Sequence, residues 1–434
     1  MLTTENLTAV LTRALAGDLT VVLPRDRSGE IRTCLPADYD PVDTGRTIPP
    51  ALVLFTSGST GTPKGVALSA RALLASGAAT EDALGGPGRW YLALPTNHVA
   101  GVQVLLRSIQ AGTTPYTASP GRFTAESFTA DIRAMRADTA PGVPLYASLV
   151  PTQLVRIMES PEAAAQAAAL DAALLGGAAI SPTLLARAAE AGIRIVRTYG
   201  MSETCGGCVY NGVPFDGVHL RITDSGRVHI TGPVVADGYV DVAEAPRADV
   251  PSGTRVPDGA GARGASGAGT LRLTARPDTD PVTGEPTGFG FENGERSFLT
   301  SDLGRLTAAD GTPVLDVLGR ADDVIITGGE NVSPHVVEAV LLRVLEPLGI
   351  AEVLVTSVPD AEWGERLVAL VRAGGDRIAD VALTAEALRD RPGMTLARHE
   401  VPARFIPVTE IPARSIGKPD RKQARELAKS LISD

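Results

Sequence analysis

Residues 51–65 read ALVLFTSGSTGTPKG. The opening ALVLF is an apolar run of strand length. The residues after it supply glycines (Gly58, Gly61, Gly65), hydroxyls (Thr56, Ser57, Ser59, Thr60) and one ammonium, Lys64. Glycine frees the backbone to turn its N–H groups inward, so these residues can wrap phosphate while Lys64 balances its charge. The loop is not a Walker A sequence, which needs G-x-x-x-x-G-K-[ST]; here Pro63 precedes Lys64 and Gly65 follows it. A plain flexible turn has no need of hydroxyls, glycines and a lysine in this order. An anion cradle at the end of a strand is therefore expected.

On either side of this loop, short apolar strands alternate with amphipathic helices. Ahead of it lie one helical pattern (residues 1–17), a Val-rich strand (19–23) and a Pro/Asp/Gly-rich approach to Pro50. Strands are predicted at 51–55, 91–94, 144–149, 173–175 and 193–198, with helices at 70–84, 101–111, 125–136 and 181–191. This alternation predicts an α/β body built on a largely parallel sheet with flanking helices. From Gly217 the strands become short and closely spaced (218–222, 227–231, 270–274), as in a small antiparallel sheet or barrel. Residues 250–269, VPSGTRVPDGAGARGASGAG, read as loop by composition. After a charged GRADD stretch, the remaining residues read strand, helix, strand, strand, helix, a compact α+β unit. The expected organisation is a large domain over 1–321 and a small mobile α+β domain over 322–434.

The 434 residues suggest two or three domains at about 100–200 residues each. No apolar run reaches the roughly 18 residues needed to span a bilayer, and residues 1–17 lack the basic start of a signal peptide. No membrane span and a cytoplasmic location are expected. Forty Lys+Arg against fifty Asp+Glu give a net charge of -10 with no basic block, so nucleic acid is not an expected partner. Three cysteines (Cys34, Cys205, Cys208) are too few for a disulfide framework. Cys205 and Cys208 form a CxxC, but no second CxxC or His pair completes a zinc set. Small-residue pocket lining is the favoured reading of that pair, with redox or metal roles as alternatives. His219, His229, His335 and His399 are scattered singly and read as surface or core residues.

Further motifs follow in order. YGMSET (residues 199–204) ends the strand IRIVRT; TSDLGRL contains Asp302; LGRADDVIITGGENVSPHVVE contains Arg320, Asp322, Gly328, Gly329 and Glu330; PARSIGKPDR contains Lys418. Together with TSGSTGTPKG they resemble, in order and spacing, the signature segments of the adenylate-forming superfamily of acyl-CoA synthetases, adenylation domains and luciferases. Taken singly, Asp302 would be a turn residue, Lys418 and Arg320 solvated charges and Tyr199 a core aromatic.

The resemblance implies an AMP-forming acid–thiol ligase using ATP, Mg²⁺ and CoA, with no tightly bound organic cofactor. Thr56, Ser57, Gly58, Ser59, Thr60, Gly61 and Lys64 would hold phosphates. In the superfamily's YGxTE segment the Tyr stacks on adenine, the Glu holds Mg²⁺ and the Thr contacts the α-phosphate. These roles are assigned here to Tyr199, Glu203 and Thr204, with Gly200 and Met201 beside them and Thr60 a further candidate Mg²⁺ ligand. The turn Gly176-Gly177-Ala178 would lie along adenine, and Asp302 and Arg320 would contact the ribose. Lys418 would be the catalytic lysine, a point charge able to bridge the carboxylate and the α-phosphate as charge builds in the transition state. Asp322 would be the hinge about which the small domain turns, bringing Gly328, Gly329 and Glu330 to the CoA face.

Among subfamilies, ASLVPTQL (147–154) and LLGGAAIS (174–181) look most like the o-succinylbenzoyl-CoA synthetases of menaquinone biosynthesis. An aromatic dicarboxylate would then enter past His98, at the position that gates the acid channel, with Ser148, Thr152 and Gly200 lining the pocket. Arg107 and Arg156 are both candidates for the cation that holds the second carboxylate. The cradle stands nearer the start of the chain than in full-length members, so a trimmed core or a covering partner, such as a second copy of the chain, is expected. The alternatives are a generic acyl- or aryl-CoA synthetase, an adenylation domain loading a carrier-protein thiol, and a nucleotide-binding regulator without chemistry.

Overall fold

A computed structural model describes residues 3–24, 30–41, 47–56, 64–178, 180–244, 271–276, 288–309, 311–374, 384–389, 391–413 and 419–433. It is a mixed α/β structure of three main sheets followed by a smaller α+β unit.

The most regular sheet runs in the order Val213–Pro214, Gly206–Tyr210, Ile195–Met201, Ala172–Leu175, Leu145–Leu149, Arg89–Leu92, Tyr116–Thr117. The strands from Ile195–Met201 to Tyr116–Thr117 are parallel, and the first two turn back antiparallel. Both faces are covered, which is why these strands read as continuous apolar runs. Trp90, Leu92, Tyr146 and Leu174 join the core shared with helices Ala70–Leu84 and Val99–Gln110. Their alternate neighbours Tyr91, Ala147, Leu149, Ala173 and Leu175 meet helices Ala125–Ala137, Pro151–Met158, Pro161–Ala167 and Pro182–Glu190. The parallel sheet expected from the alternation is thus present. The strand read at 91–94 is Arg89–Leu92, because Pro95 follows closely and has no N–H to give to a ladder.

The strand ahead of the cradle corrects the expectation. Leu52–Thr56 lies not in the parallel sheet but in a mixed one, ordered Arg32–Cys34, Thr20–Val22, Leu52–Thr56, Lys64–Leu68, Gly238–Glu244, Leu271–Ala275, Tyr39–Asp40. Its next strand, Lys64–Leu68, returns antiparallel with Thr56 opposite Lys64. A short connection allows that return, whereas a parallel partner would need a crossover. The sheet nearly closes on itself: Cys34 Sγ donates to the Leu271 carbonyl at 3.2 Å, and Val22, Cys34, Val53, Ala67, Val240, Leu271 and Leu273 fill its interior.

The third sheet is antiparallel: His219–Ile222, Arg227–Thr231, Glu295–Ala309 and Phe289–Glu292, with Thr312–Arg320 also pairing along Glu295–Ala309. The strand read at 270–274 is not part of it. That strand is Leu271–Ala275 and pairs with Gly238–Glu244 in the nearly closed sheet, since a period-two pattern announces a strand but not its partner. Residues 250–269 lie outside the described residues.

After the short turn Ala321–Asp323 come a hairpin (Ile325–Thr327 with Glu330–Val332), helix Pro334–Leu345, and the long hairpin Ile350–Asp360 with Gly364–Ala373. Strand Arg404–Pro407 adds in parallel, and helix Arg421–Ser433 ends the chain. The two faces of this sheet carry separate cores: Val353, Val355, Leu367 and Ala369 meet helix Pro334–Leu345, while Leu354, Val368 and Leu370 meet Ala424 and Ala428. The expected strand, helix, strand, strand, helix pattern is there, with a second strand, Glu330–Val332, making the first a hairpin, and with the short helix Ala385–Arg389 and the strand Arg404–Pro407 added. No helix among the described residues is long and apolar enough to cross a membrane.

Candidate active site

Open α/β sheets bind ligands at the carboxyl ends of their parallel strands. The expected site residues gather at that edge. His98 follows strand Arg89–Leu92 and immediately precedes helix Val99–Gln110. Ser148 is buried near the end of Leu145–Leu149, opposite Leu174, and Thr152 is half-buried in the first turn of the helix that follows. Gly176, Gly177 and Ala178 leave the end of Ala172–Leu175, and Tyr199, Gly200 and Met201 end Ile195–Met201.

Two glycines there are demanded by close approach. A Cβ on Gly176 would stand 2.2 Å from Thr198 Oγ1, and one on Gly200 would stand 1.9 Å from the Gly206 carbonyl oxygen. Gly177 has φ +91°, a left-handed turn that glycine adopts without strain.

Side-chain contacts then connect the three sheets. The Tyr199 hydroxyl donates to Asp302 Oδ2 at 2.8 Å, and Asp302 sits directly across the antiparallel ladder from Arg320. The Asp302 N–H is held by Thr300 Oγ1 at 3.0 Å. Burial, reinforced by the Asp302 charge, pushes the Tyr199 phenol well above its ordinary range, so it remains a donor. Arg320 in turn bonds Asp322 at 2.8 Å. On the other side, the Tyr239 hydroxyl donates to Glu203 Oε1 at 3.1 Å, and Lys64 Nζ lies 5.2 Å from the centre of the Tyr239 ring.

Several expected roles are changed by this geometry. Thr204 is fully buried, and its hydroxyl donates to the Gly206 carbonyl at 2.7 Å and accepts from the Met201 N–H at 3.0 Å. It braces the turn and offers nothing to a phosphate. Ser202, which stands where YGxTE has its threonine, is the half-buried hydroxyl of this turn. Cys205 and Cys208 do not line a pocket; both are fully buried in the main core. Burial pushes the Cys208 thiol up to about 12 and raises that of Cys205 well above its usual value, leaving neither reactive. Arg107 is also withdrawn from the acid pocket: it is buried, with its guanidinium over the Trp90 ring at 5.0 Å. Arg156 bonds the Phe123 carbonyl oxygen at 3.4 Å. Of the lone histidines, His219 is exposed, His229 is paired with Glu292 at 3.2 Å, and His335 and His399 are half-buried.

Ser57, Gly58, Ser59, Thr60, Gly61 and Lys418 lie outside the described residues, but their anchors are described. Thr56 and Lys64, on either side of residues 57–63, stand opposite each other in the ladder. Ala413 and Pro419, on either side of residues 414–418, pair in an antiparallel bridge. Just beyond, Arg421 makes a two-pronged pair with Glu338 (2.5 and 3.0 Å), bonds the Val355 carbonyl oxygen at 2.8 Å and reaches Asp323 at 3.3 Å. Gly328 and Gly329 form the turn of the hairpin before helix Pro334–Leu345, with Gly328 against the Trp363 ring and Glu330 exposed beside it.

Arg421 and Tyr239 were missed in the sequence. Arg421 closes the PARSIGKPDR segment, which is a usable signal; Tyr239, in ADGYV, carries none without its partners. Among the described residues no cluster of three or more His, Cys, Asp or Glu could hold a metal. One half-buried carboxylate, Glu203, fits Mg²⁺, a hard cation that takes its other ligands from phosphates and water.

The AMP-binding enzyme family matches residues 14–262, and its C-terminal domain matches residues 337–418. The chain belongs to the AMP-binding enzyme family. This AMP-binding enzyme is 39% identical over 373 residues to a Mycobacterium tuberculosis protein named "Probable 2-succinylbenzoate--CoA ligase", covering 86% of this chain and 82% of that one. Its fold is similar to o-succinylbenzoate CoA synthetase (MenE) from Bacillus subtilis in complex with the acyl-adenylate intermediate OSB-AMP. That likeness has a TM-score of 0.59 and 25% identity, over 86% of this chain and 68% of the other. The same Bacillus protein in complex with ATP and magnesium ion gives a TM-score of 0.60 and 26% identity, over 86% and 69% of the two chains.

Proposed function

We propose that this AMP-binding enzyme is an ATP-dependent 2-succinylbenzoate–CoA ligase. It would adenylate the succinyl carboxylate of o-succinylbenzoate with release of pyrophosphate, then pass the acyl group to CoA, giving o-succinylbenzoyl-CoA and AMP for menaquinone biosynthesis. The observation that carries this reading is the likeness to the mycobacterial ligase over most of both chains. Use of ATP and CoA agrees with a cytoplasmic reaction.

The roles follow from the arrangement. A carboxylate is repelled by triphosphate, so charge must be neutralised before attack at the α-phosphate. Lys64 and the backbone of residues 57–63 would take the phosphates, and Lys418 the reacting carboxylate and α-phosphate. Glu203 would hold Mg²⁺, which when bound offsets phosphate charge. Asp302, oriented by Tyr199 and faced by Arg320, would accept from the ribose hydroxyls. The adenine would lie between Tyr199 and the Gly176–Ala178 turn. His98, Ser148 and Thr152, at the same sheet edge, would line the acid pocket together with Gly200.

For the second half-reaction the proposed division is 1–321 and 322–434, with Asp322 at the hinge. Two observations support it: cores within 325–432 separate from those of the body, and the short turn Ala321–Asp323 between them. Rotation would withdraw Lys418 and bring Gly328, Gly329 and Glu330 to the CoA side.

The test is pyrophosphate release with ATP and Mg²⁺ across a panel of acids that includes o-succinylbenzoate, with and without CoA, the product being weighed by mass spectrometry. A CoA thioester formed selectively from o-succinylbenzoate is the expected result. Turnover only with other acids would keep the ligase and discard this substrate. Adenylate transferred only to a holo carrier protein would discard CoA.

A further inference from the structure

We propose that Tyr239 is a positioning residue for the phosphate end of the reaction, holding the Glu203 carboxylate through its hydroxyl and the Lys64 ammonium over its ring. The inference rests on the reading above, in which Glu203 and Lys64 face Mg²⁺ and the phosphates of ATP.

The strand ladder explains why one side chain reaches both groups. Tyr239 pairs with Val66 across the Gly238–Glu244 and Lys64–Leu68 strands. Residues two apart on a strand share a face, so Lys64 lies diagonally beside the Tyr239 ring on the same side of the sheet. The Tyr239 ring is nearly buried and is held edge-on by Phe289, with ring centres 5.0 Å apart. Its hydroxyl emerges at Glu203.

The backbone ahead of Tyr239 is fixed by the same group of residues. The Ala236 N–H donates to the Glu203 carbonyl oxygen at 2.9 Å. Buried Arg296 donates in turn to the Ala236 and Asp237 carbonyl oxygens at 3.4 and 2.5 Å. Residues 236–239 therefore grip Glu203 by its main chain at one end and its carboxylate at the other. A carboxylate held in this way loses less rotamer freedom when it takes a cation. The ring face supplies Lys64 with a place to rest when no phosphate is bound.

The hydroxyl and the ring can be separated by mutation. Tyr239→Phe keeps the ring and its packing but removes the bond to Glu203; Tyr239→Leu removes both. We expect Tyr239→Phe to raise the Mg²⁺ concentration for half-maximal pyrophosphate release about tenfold, the usual scale for losing a hydrogen bond to a charged group. Its turnover should return at saturating Mg²⁺, and its ATP affinity in EDTA, read by calorimetry, should be unchanged. Tyr239→Leu should also weaken ATP binding in EDTA.

A cycle with Glu203→Asp, which draws the carboxylate out of the phenol's reach, provides a second route. The Mg²⁺ effects of Tyr239→Phe and Glu203→Asp should be non-additive. An unchanged Mg²⁺ requirement in Tyr239→Phe, alongside a raised one in Glu203→Gln, would overturn the role of Tyr239. An unchanged requirement in Glu203→Gln would overturn the assignment of Glu203 and this inference with it, whereas the ligase assay with o-succinylbenzoate judges the function separately.

Discussion

The Tyr199 phenol donates a 2.8 Å hydrogen bond to the Asp302 carboxylate across 103 positions of chain. It joins the end of a parallel strand to the open end of an antiparallel hairpin, and so ties the proposed adenine contact to the proposed ribose contact. Arg320 completes the group from the opposite strand.

Tyr199→Phe should free the Asp302 carboxylate to rotate. The expected outcome is ATP binding weakened by about tenfold and unfolding eased by about 1.5–3 kcal/mol, the scale of a hydrogen bond to a charged group. Calorimetry and chemical denaturation read the two effects. An unchanged ATP affinity would remove Asp302 from the ribose site or Tyr199 from its support.

The two half-reactions should be separable by mutation. Lys418→Ala should lower adenylation by at least about 100-fold, as expected when a charge aimed at the transition state is removed, while ATP binding and thermal stability hardly change. Asp322→Pro, which fixes φ and takes away an N–H, should spare pyrophosphate release and slow thioester formation. Equal loss of both steps in Asp322→Pro would mean that the hinge is elsewhere.

Arg421→Met should act on stability first. Glu338 is buried, and among the described residues the bond it retains without Arg421 is the one its Oε1 accepts from the Val355 N–H at 2.8 Å. Breaking one side of such a pair costs about 3–5 kcal/mol. Urea unfolding of the full chain should show the loss in the transition of the C-terminal residues, and adenylation should fall because the loop of Lys418 loses its anchor. The double change Arg421→Met with Glu338→Leu should recover stability but not activity.

The native cysteines should be silent. Cys208 titrates near 9.0 in an unfolded chain and is pushed up to about 12 by burial, so the folded chain holds the proton that the unfolded chain loses. Stability should therefore fall as pH rises from 9 towards 12, and Cys208→Ala should flatten that fall. At pH 8 an alkylating reagent should label all three thiols only after denaturation. Rapid labelling of the native protein would contradict their burial.

The sequence by itself determined the strands and helices whose apolar periods are long, the parallel order of the body, and the five ordered motifs. Helix Ala70–Leu84 was legible to the residue because Ser69 caps its start and Gly85, at φ 98°, ends it. These signals are local, and a reader of the chain meets them intact. Tertiary structure alone decided partners. The apolar run before the cradle looked like another parallel strand, yet its burial on both faces is supplied by a nearly closed mixed sheet. Thr204 read as a phosphate contact and the Cys205–Cys208 pair as pocket lining, but a tight hairpin turns them into the core while leaving Glu203 half-buried. Tyr239 and Arg421 gained roles only when folding brought Glu203 and Glu338 to them. Propensity and periodicity act over a few residues, whereas a hydrogen bond between distant positions exists only after the sheets have packed.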